Sequence, residues 1–347
     1  MRHTPCHTAH SIARGLSTAA RLLGLTGLVV LPAVLPIVAH AAETFPNKPV
    51  SMLVAFPPGG PADVVARAMQ PAMAKVLGQP VVIENLPGAG GALAMQRLLS
   101  RPADGYTLIM GSPNEAILTP LALASAKYKS EELALVAPVS NHPLVLMTRN
   151  DLPYTSLEQI VAAGKTPGAP SLTFGNPGYG TMYHIVAEYM AKATGAKVLQ
   201  VPYKGATPML ADLTGHQIDM TILPNIGAST QLLETRKIKA VAVLDNQRMR
   251  NLPDVPAIGE TQVARKSEFV YSIWIGVMAR AGMPADRARV LLDASQQALR
   301  SPELVKALAL SGVQPLPAQS LETSAKFYAD ETARFRKMAA SVELVPQ

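Results

Sequence analysis

The sequence predicts an α/β fold organised in two lobes. Short apolar runs with strand character alternate with helical patterns along most of the chain, which is the signature of largely parallel sheets covered by helices. The alternation breaks near 113–142 and again near 245–268, with no low-complexity tether at either place. The lobes are therefore expected to exchange strands rather than hang on a linker. The lone cysteine, Cys6, lies near the N-terminus, so the fold must stand on its core without disulfides.

Residues 1–41 read as a cleaved signal peptide. Arg2, Arg14 and Arg21 precede an apolar stretch from Leu22 to Val38, and Ala39-His40-Ala41 supplies a small-x-small cleavage pattern before Ala42. Pro32 and Pro36 argue against a retained membrane helix, and no later segment is long and apolar enough to span a bilayer. The expected location is the bacterial periplasm.

The first strand is VSMLVAF (50–56), followed by a helix to Leu77 that Gly78 ends and Pro71 should kink. PVVIEN (80–85) is a strand, GALAMQRLLS (91–100) a helix and YTLIMGS (106–112) a third strand. A second series opens with PLVLMTR (143–149). SLTFG (171–175), KVLQVPY (197–203), IDMTIL (218–223) and KAVAVL (239–244) are its further strands, with helices near Met182–Thr194 and Pro208–Leu213. FVYSIWIGVMA (269–279) is a long strand, and helical patterns occupy 285–300, 302–310 and 320–339.

The formal charge of +7 over 347 residues is scattered, and three of the positive charges lie in the signal segment. No basic helix with interleaved aromatics occurs, which excludes a nucleic-acid binder of the usual kinds. The histidines beyond the signal, His142, His184 and His216, are far apart, with no HExxH and no paired cysteines. No metal or other cofactor is expected. GxSxG and GxxxxGK[ST] are both missing, and PGAGGAL (87–93) carries Leu93 where a dinucleotide fingerprint needs Gly or Ala.

Two turns stand out. In FPPGGPADVVAR the chain leaves a strand's carboxyl end through Gly59 and Gly60 and enters a helix. That is the place where open α/β sheets bind ligands. The unpaired N–H groups at the helix start suit a carboxylate or phosphate, while Asp63 either caps the helix or meets a ligand hydroxyl or amine. In SLTFGNPGYGTMYHIVAEYM the pattern repeats, with Gly175, Gly178 and Gly180, and Thr181 as the N-cap. One such turn per lobe would grip a small anion from both sides. His184 is either a ligand contact or a structural histidine, and Ser112 either a cap or a polar contact. Trp274 and Tyr271 belong to core packing by default, with a ligand wall as the alternative. Tyr203-Lys204-Gly205 is a candidate cleft lip.

With these residues in view, the chain resembles the Bug family, periplasmic solute receptors of tripartite tricarboxylate transporters. The resemblance rests on FPNKPV, FPPGGPADVVAR, LGQPVVIENLPGAGG, ADGYTLIMGS, GNPGYGTMYHIVAEYM, VPYKGATPMLADLTGHQIDM, NLPDVPAIGE and IWIGVMARAGMP. It implies a two-lobed Venus flytrap whose sheets are mostly parallel, with strands crossing between lobes. Residues 42–142 plus 265–347 would form lobe I and 143–264 lobe II. It implies a ligand carboxylate held largely by backbone groups. In the first loop the expected ligand residues are Phe56, Pro58, Gly59, Gly60, Ala62 and Asp63. In the second they are Asn176, Gly178, Gly180 and Thr181, joined by His184. Ser112, Asn114 and Glu115, then Asp219, Pro224 and Asn225, complete the expected pocket.

Two departures from the family pattern bear on the ligand. Glu115 stands where the family is often rich in Ser and Thr, and ARAGMP replaces a more usual APAGTP. An inward Glu115 would disfavour a second ligand carboxylate. The expected function is capture of a small carboxylated metabolite by a monomeric, non-enzymatic receptor that serves membrane transporter subunits. A receptor feeding a sensor kinase and an α/β hydrolase are the rival readings, and the hydrolase lacks a nucleophile–base pair in the sequence.

Overall fold

The computed structural model describes residues 44–263 and 269–342. The expected signal peptide and its cleavage site lie outside the described residues.

The first half of the fold contains β1 (Val50–Val54), α1 (Pro61–Leu77), β2 (Val81–Asn85), α2 (Ala92–Leu99), β3 (Thr107–Gly111) and a short α3 (Thr119–Ala122). A five-residue π turn, Asn114–Leu118, joins β3 to α3. The 17-residue β4 (Leu133–Arg149) leads into α4 (Leu157–Lys165), β5 (Leu172–Asn176), α5 (Met182–Thr194) and β6 (Val198–Pro202). Then come α6 (Ala206–Thr214), β7 (Met220–Pro224), α7 (Ala228–Glu234) and β8 (Ile238–Val243). The chain closes with β9 (Ser272–Arg280), α8 (Ala285–Leu299), α9 (Pro302–Leu310) and α10 (Leu321–Ser341).

The strand order is β2-β1-β3-β9-β4-β7-β5-β6, with β8 also paired to β4. β1 lies parallel between β2 and β3, and β5 lies parallel between β6 and β7. The centre is antiparallel. Residues Leu133–Pro143 of β4 pair with β9, and Leu144–Arg149 continue between β7 and β8. One strand thus belongs to both halves of the sheet system.

Residues 133–142 lie in the break of the alternation near 113–142, yet they form the first part of β4. The register with β9 shifts between Leu135 and Ala137 and again between Pro138 and Ser140. Such bulges accommodate a proline that regular pairing would exclude. The expected end of α1 is present, with Gly78 left-handed at φ 63°, while the helix continues through Pro71. Helices α4, α3 and α7 are additions to the predicted set.

The inner strands β1, β3, β5 and β7 are largely buried on both faces, as helix-covered strands are, while the edge strands β2 and β6 expose one face. On β1, Met52 and Val54 pack with Val65, Met69 and Met73 of α1, while Leu53 and Ala55 pack with Met95 and Leu98 of α2. On β9 the same alternation sends Trp274 away from its neighbours Ile273 and Ile275. The indole is buried against Phe327 and Tyr328 of α10, at centroid distances of 6.0 and 6.1 Å. Trp274 is core, and the ligand-wall alternative is set aside. No helix of the described residues is long and apolar enough to cross a membrane.

Candidate functional site

The carboxyl ends of β1, β3 and β5 converge on a cleft between the two halves. Its empty volume is about 440 Å³, open mouth included. From the first half it is lined by Phe56, Gly60, Pro61, Ala62, Ser112 and Asn114; from the second by Pro177, Tyr183, Ala206 and Leu223, with Ile273 and Ile275 of β9 between them. None of these side chains is charged. An adjoining chamber shares Phe56 and Pro177 and is lined by the 88–91 loop, Gly178, Tyr179, Tyr203 and Lys204.

Three helices begin at this cleft: α1, α5 and α6. A helix start leaves N–H groups without intrahelical partners and carries partial positive charge. Among the described residues the N–H groups of Ala62, Asp63, Tyr183, His184, Ala206 and Thr207 have no hydrogen-bond partner. The two glycine turns expected from the sequence supply the first two helix starts. The third follows the Tyr203-Lys204-Gly205 lip.

Asp63 is turned onto its own loop. Its carboxylate accepts the Gly59 N–H at 2.9 Å, Arg67 Nε at 3.0 Å and Asn85 Nδ2 at 2.9 Å. Burial works against the charge, but these hydrogen bonds outweigh it and hold the pKa below the ordinary value. Asn85 also donates to the Phe56 carbonyl at 3.0 Å. Asp63 is therefore a clamp that shapes the first loop and places Gly60 and Ala62 on the cleft.

Asn176 does the same for the second loop. Its Oδ1 accepts the Gly178 N–H at 3.1 Å and its Nδ2 donates to Gln200 Oε1 at 2.9 Å. Thr181 is the N-cap residue, yet its hydroxyl donates to the Gly178 carbonyl at 2.6 Å instead of capping a helix N–H. Gly180 N–H reaches His184 Nδ1 at 3.4 Å, and the imidazole packs against Tyr179 at 4.6 Å. Burial lowers the His184 pKa, against the opposing effect of Glu188, which favours the neutral ring.

Glu115 is fully buried and folds back on the turn after β3. It accepts from the Ser112 N–H at 2.6 Å and from the Ser112 hydroxyl at 2.7 Å. Burial raises its pKa to about 7 despite these bonds. Ser112, not Glu115, lines the cleft. Asn114 bridges the halves: its Oδ1 accepts the Met182 N–H of α5 at 2.8 Å.

Other contacts also cross the cleft. Thr207 Oγ1 donates to the Pro58 carbonyl at 3.0 Å, and the Ala228 N–H to the Gly59 carbonyl at 3.4 Å. Glycine permits the close approach. Gly205 (φ +117°) has no room for a Cβ because the Pro57 ring occupies it, and Gly180 (φ +73°) none because of Ala122.

Not every expected residue comes to the cleft. Asp219 sits before β7, beside the start of β5, at the opposite end of these strands. It accepts from Thr173 N–H and Oγ1 at 2.8 and 2.9 Å and from Arg149 Nε at 2.9 Å. Asn225 lines a separate cavity next to Thr230 and Asn251, and the Pro224 carbonyl accepts the Ser229 hydroxyl at 2.9 Å. The cleft also takes in Pro177, within the second expected loop, and Tyr183, Ala206, Leu223, Ile273 and Ile275, which lie outside the expected site. Period-two alternation around Trp274 points to the two isoleucines, and Tyr183 lies in the first turn after the second glycine loop. Among the described residues no group of three or more His, Cys, Asp or Glu could hold a metal ion.

The family model described as "Tripartite tricarboxylate transporter family receptor" matches residues 65–344. The protein BugT of Bordetella pertussis (strain Tohama I) is 35% identical over 318 residues, covering 91% of this chain and 95% of BugT. The solved structure of MatC from Rhodopseudomonas palustris with bound malate aligns with a TM-score of 0.77 at 27% identity, over 85% of this chain and 99% of that one. R. palustris Rpa4515 with adipate aligns with a TM-score of 0.79 at 29% identity, over 87% of this chain and 100% of that one. The chain belongs to the tripartite tricarboxylate transporter receptor family, the Bug-type periplasmic solute-binding proteins.

Proposed function

We propose that this protein captures a small organic acid in the periplasm by closing two lobes over it and presents the closed complex to membrane transporter subunits. Lobe I is residues 42–142 with 265–347, and lobe II is 143–264. The receptor is a monomer and catalyses no reaction. The observation that carries the reading is the meeting of three helix starts, with unpaired first-turn N–H groups, at a cleft whose side chains bear no charge. A carboxylate matches that donor set, since backbone N–H groups at helix N-termini favour anions. The malate and adipate found in two relatives agree with this class of ligand.

In this reading Gly60, Ala62, Ser112, Asn114, Tyr183 and Ala206 touch the ligand. Asp63, Glu115, Asn176 and His184 hold the loops that present them. Contacts made only in the closed form, such as Asn114 to Met182, drive closure.

The test is a thermal-shift and calorimetric screen of protein refolded to remove carried ligand. The panel holds mono-, di- and tricarboxylates, amino acids and aromatic acids, with the matching amides as controls. A ligand well above its Kd raises the melting temperature. Stabilisation by an acid but not by its amide is the expected result; equal effects of acid and amide would remove the anion site.

A further inference from the structure

We infer that the cleft takes an acid bearing one carboxylate on an apolar skeleton and selects against a second carboxylate within the same chamber. The inference rests on the acid-binding reading above and narrows it. It is carried by how few polar groups in the cleft remain unengaged.

Three polar side chains line the chamber: Ser112, Asn114 and Tyr183. Both donors of Ser112, its N–H and its hydroxyl, are committed to the Glu115 carboxylate. Asn114 accepts from Met182 through Oδ1. Beyond the helix-start N–H groups, Asn114 Nδ2 and the Tyr183 hydroxyl are the side-chain donors left for a ligand, and neither carries a charge. The other lining side chains, among them Phe56, Leu223, Ile273 and Ile275, offer hydrocarbon only.

A carboxylate removed from water needs charge-matched or multiple hydrogen-bonding partners. The helix starts provide for one. A second would meet an apolar wall, or would approach Ser112, whose hydroxyl is 2.7 Å from the buried Glu115 carboxylate. Glu115 makes that side of the chamber hostile to negative charge in its ionised state and offers no cation in either state. A methyl-terminated or aromatic skeleton leaves no polar group unpaired against the same wall. Lys204 lines the adjoining chamber, which shares Phe56 and Pro177 with this one, and does not line the cleft itself.

Titration calorimetry on refolded full-length mature protein tests this with matched pairs: butanoate and succinate, pentanoate and glutarate, hexanoate and adipate, benzoate and terephthalate. Within the pair that binds best, the monoacid is expected to bind about tenfold tighter or more. A diacid that binds as tightly as its monoacid, or tighter, overturns the inference and leaves the acid-binding reading intact. If that diacid loses its advantage in Lys204→Gln, its second carboxylate reaches the outer chamber, and the inference is overturned for that reason. If all four pairs are silent while a tricarboxylate binds, the inference again fails and the broader reading stands. Silence toward every acid in the wider screen fails both.

Discussion

The Asn114 side-chain oxygen accepts the backbone N–H of Met182 at 2.8 Å, across the cleft between the halves of the sheet system. Asn114 follows β3, and Met182 is the first residue of α5. A side chain of one half thus caps a helix of the other, and both residues are buried. The bond can form only while the halves are together.

Asn114→Ala removes that acceptor and leaves a buried N–H unpaired. The cost of such a loss is about 1–3 kcal/mol, and it falls on the closed state. Ligand affinity is expected to drop roughly 5- to 150-fold, with little change in the stability of ligand-free protein if that form is open. Calorimetry and denaturant unfolding of the free protein separate the two. Unchanged affinity would mean that Met182 finds another acceptor on closure.

Glu115 and His142 give stability opposite dependences on pH. Burial raises the Glu115 pKa from 4.5 to about 7. The folded protein holds that proton where the unfolded chain has lost it, so the contribution is full below 4.5 and disappears as pH rises through 7. Burial lowers the His142 pKa from 6.5 to about 4. Its contribution is full above 6.5 and is lost as pH falls through 4. Each is worth about 3 kcal/mol, and over the shared window they offset one another. Glu115→Gln should therefore unmask stability that rises between pH 4 and 6.5, and His142→Gln stability that falls between pH 4.5 and 7. Urea midpoints across that range measure both. Parallel profiles for wild type and Glu115→Gln would remove Glu115 from the balance.

Gly60 tests the first loop at the cost of a small shift of the Pro57 carbonyl. Its φ of −75° is accessible to any residue, and a Cβ would meet one neighbour, the Pro57 carbonyl oxygen, at 3.3 Å. Gly60→Val should fold, with a loss of about 1 kcal/mol or less at the N-cap. Its branched side chain then occupies the cleft beside the free N–H groups of Ala62 and Asp63. Ligand affinity is expected to fall by about 1.4 kcal/mol or more, a factor of ten. A folded variant that binds normally would take this loop out of the site.

Much of this arrangement was legible in the sequence because its signals are local. Gly59–Gly60 and Gly178–Gly180 announce strand-to-helix turns, and the alternation of periods announces the sheet halves. What was not legible depends on partners distant in sequence. Residues 133–142 fall in the break of the alternation near 113–142, and only the bulged pairing with β9 makes them a strand. Spacing alone leaves Asp63 as either a cap or a ligand contact, and the resemblance puts Glu115 near the pocket; their partners in the fold, Asn85 and Ser112, could not be ranked against a ligand from the sequence. Ile273 and Ile275 became cleft walls once α10 had claimed Trp274 for the core.

Asp219 is the sharpest separation of a structural role from a binding one. Its place in a turn before β7 suits a surface turn residue, while the family resemblance implies a pocket position; its carboxylate joins Thr173 and Arg149 at the strand ends away from the cleft. Hydrogen bonds from Thr173 and Arg149 outweigh the opposing effect of burial and lower its pKa. Its contribution to stability is therefore present above the unfolded value of 3.8 and is lost as pH falls through the lower folded value. Asp219→Ala leaves the Thr173 N–H and the Arg149 guanidinium without this partner and is expected to cost about 1–3 kcal/mol of stability at neutral pH. Ligand affinity in the folded variant should stay within about twofold of wild type, since no cleft group moves. Unfolding midpoints and calorimetry on the same sample read both quantities. A large loss of affinity at unchanged stability would move Asp219 into the binding machinery.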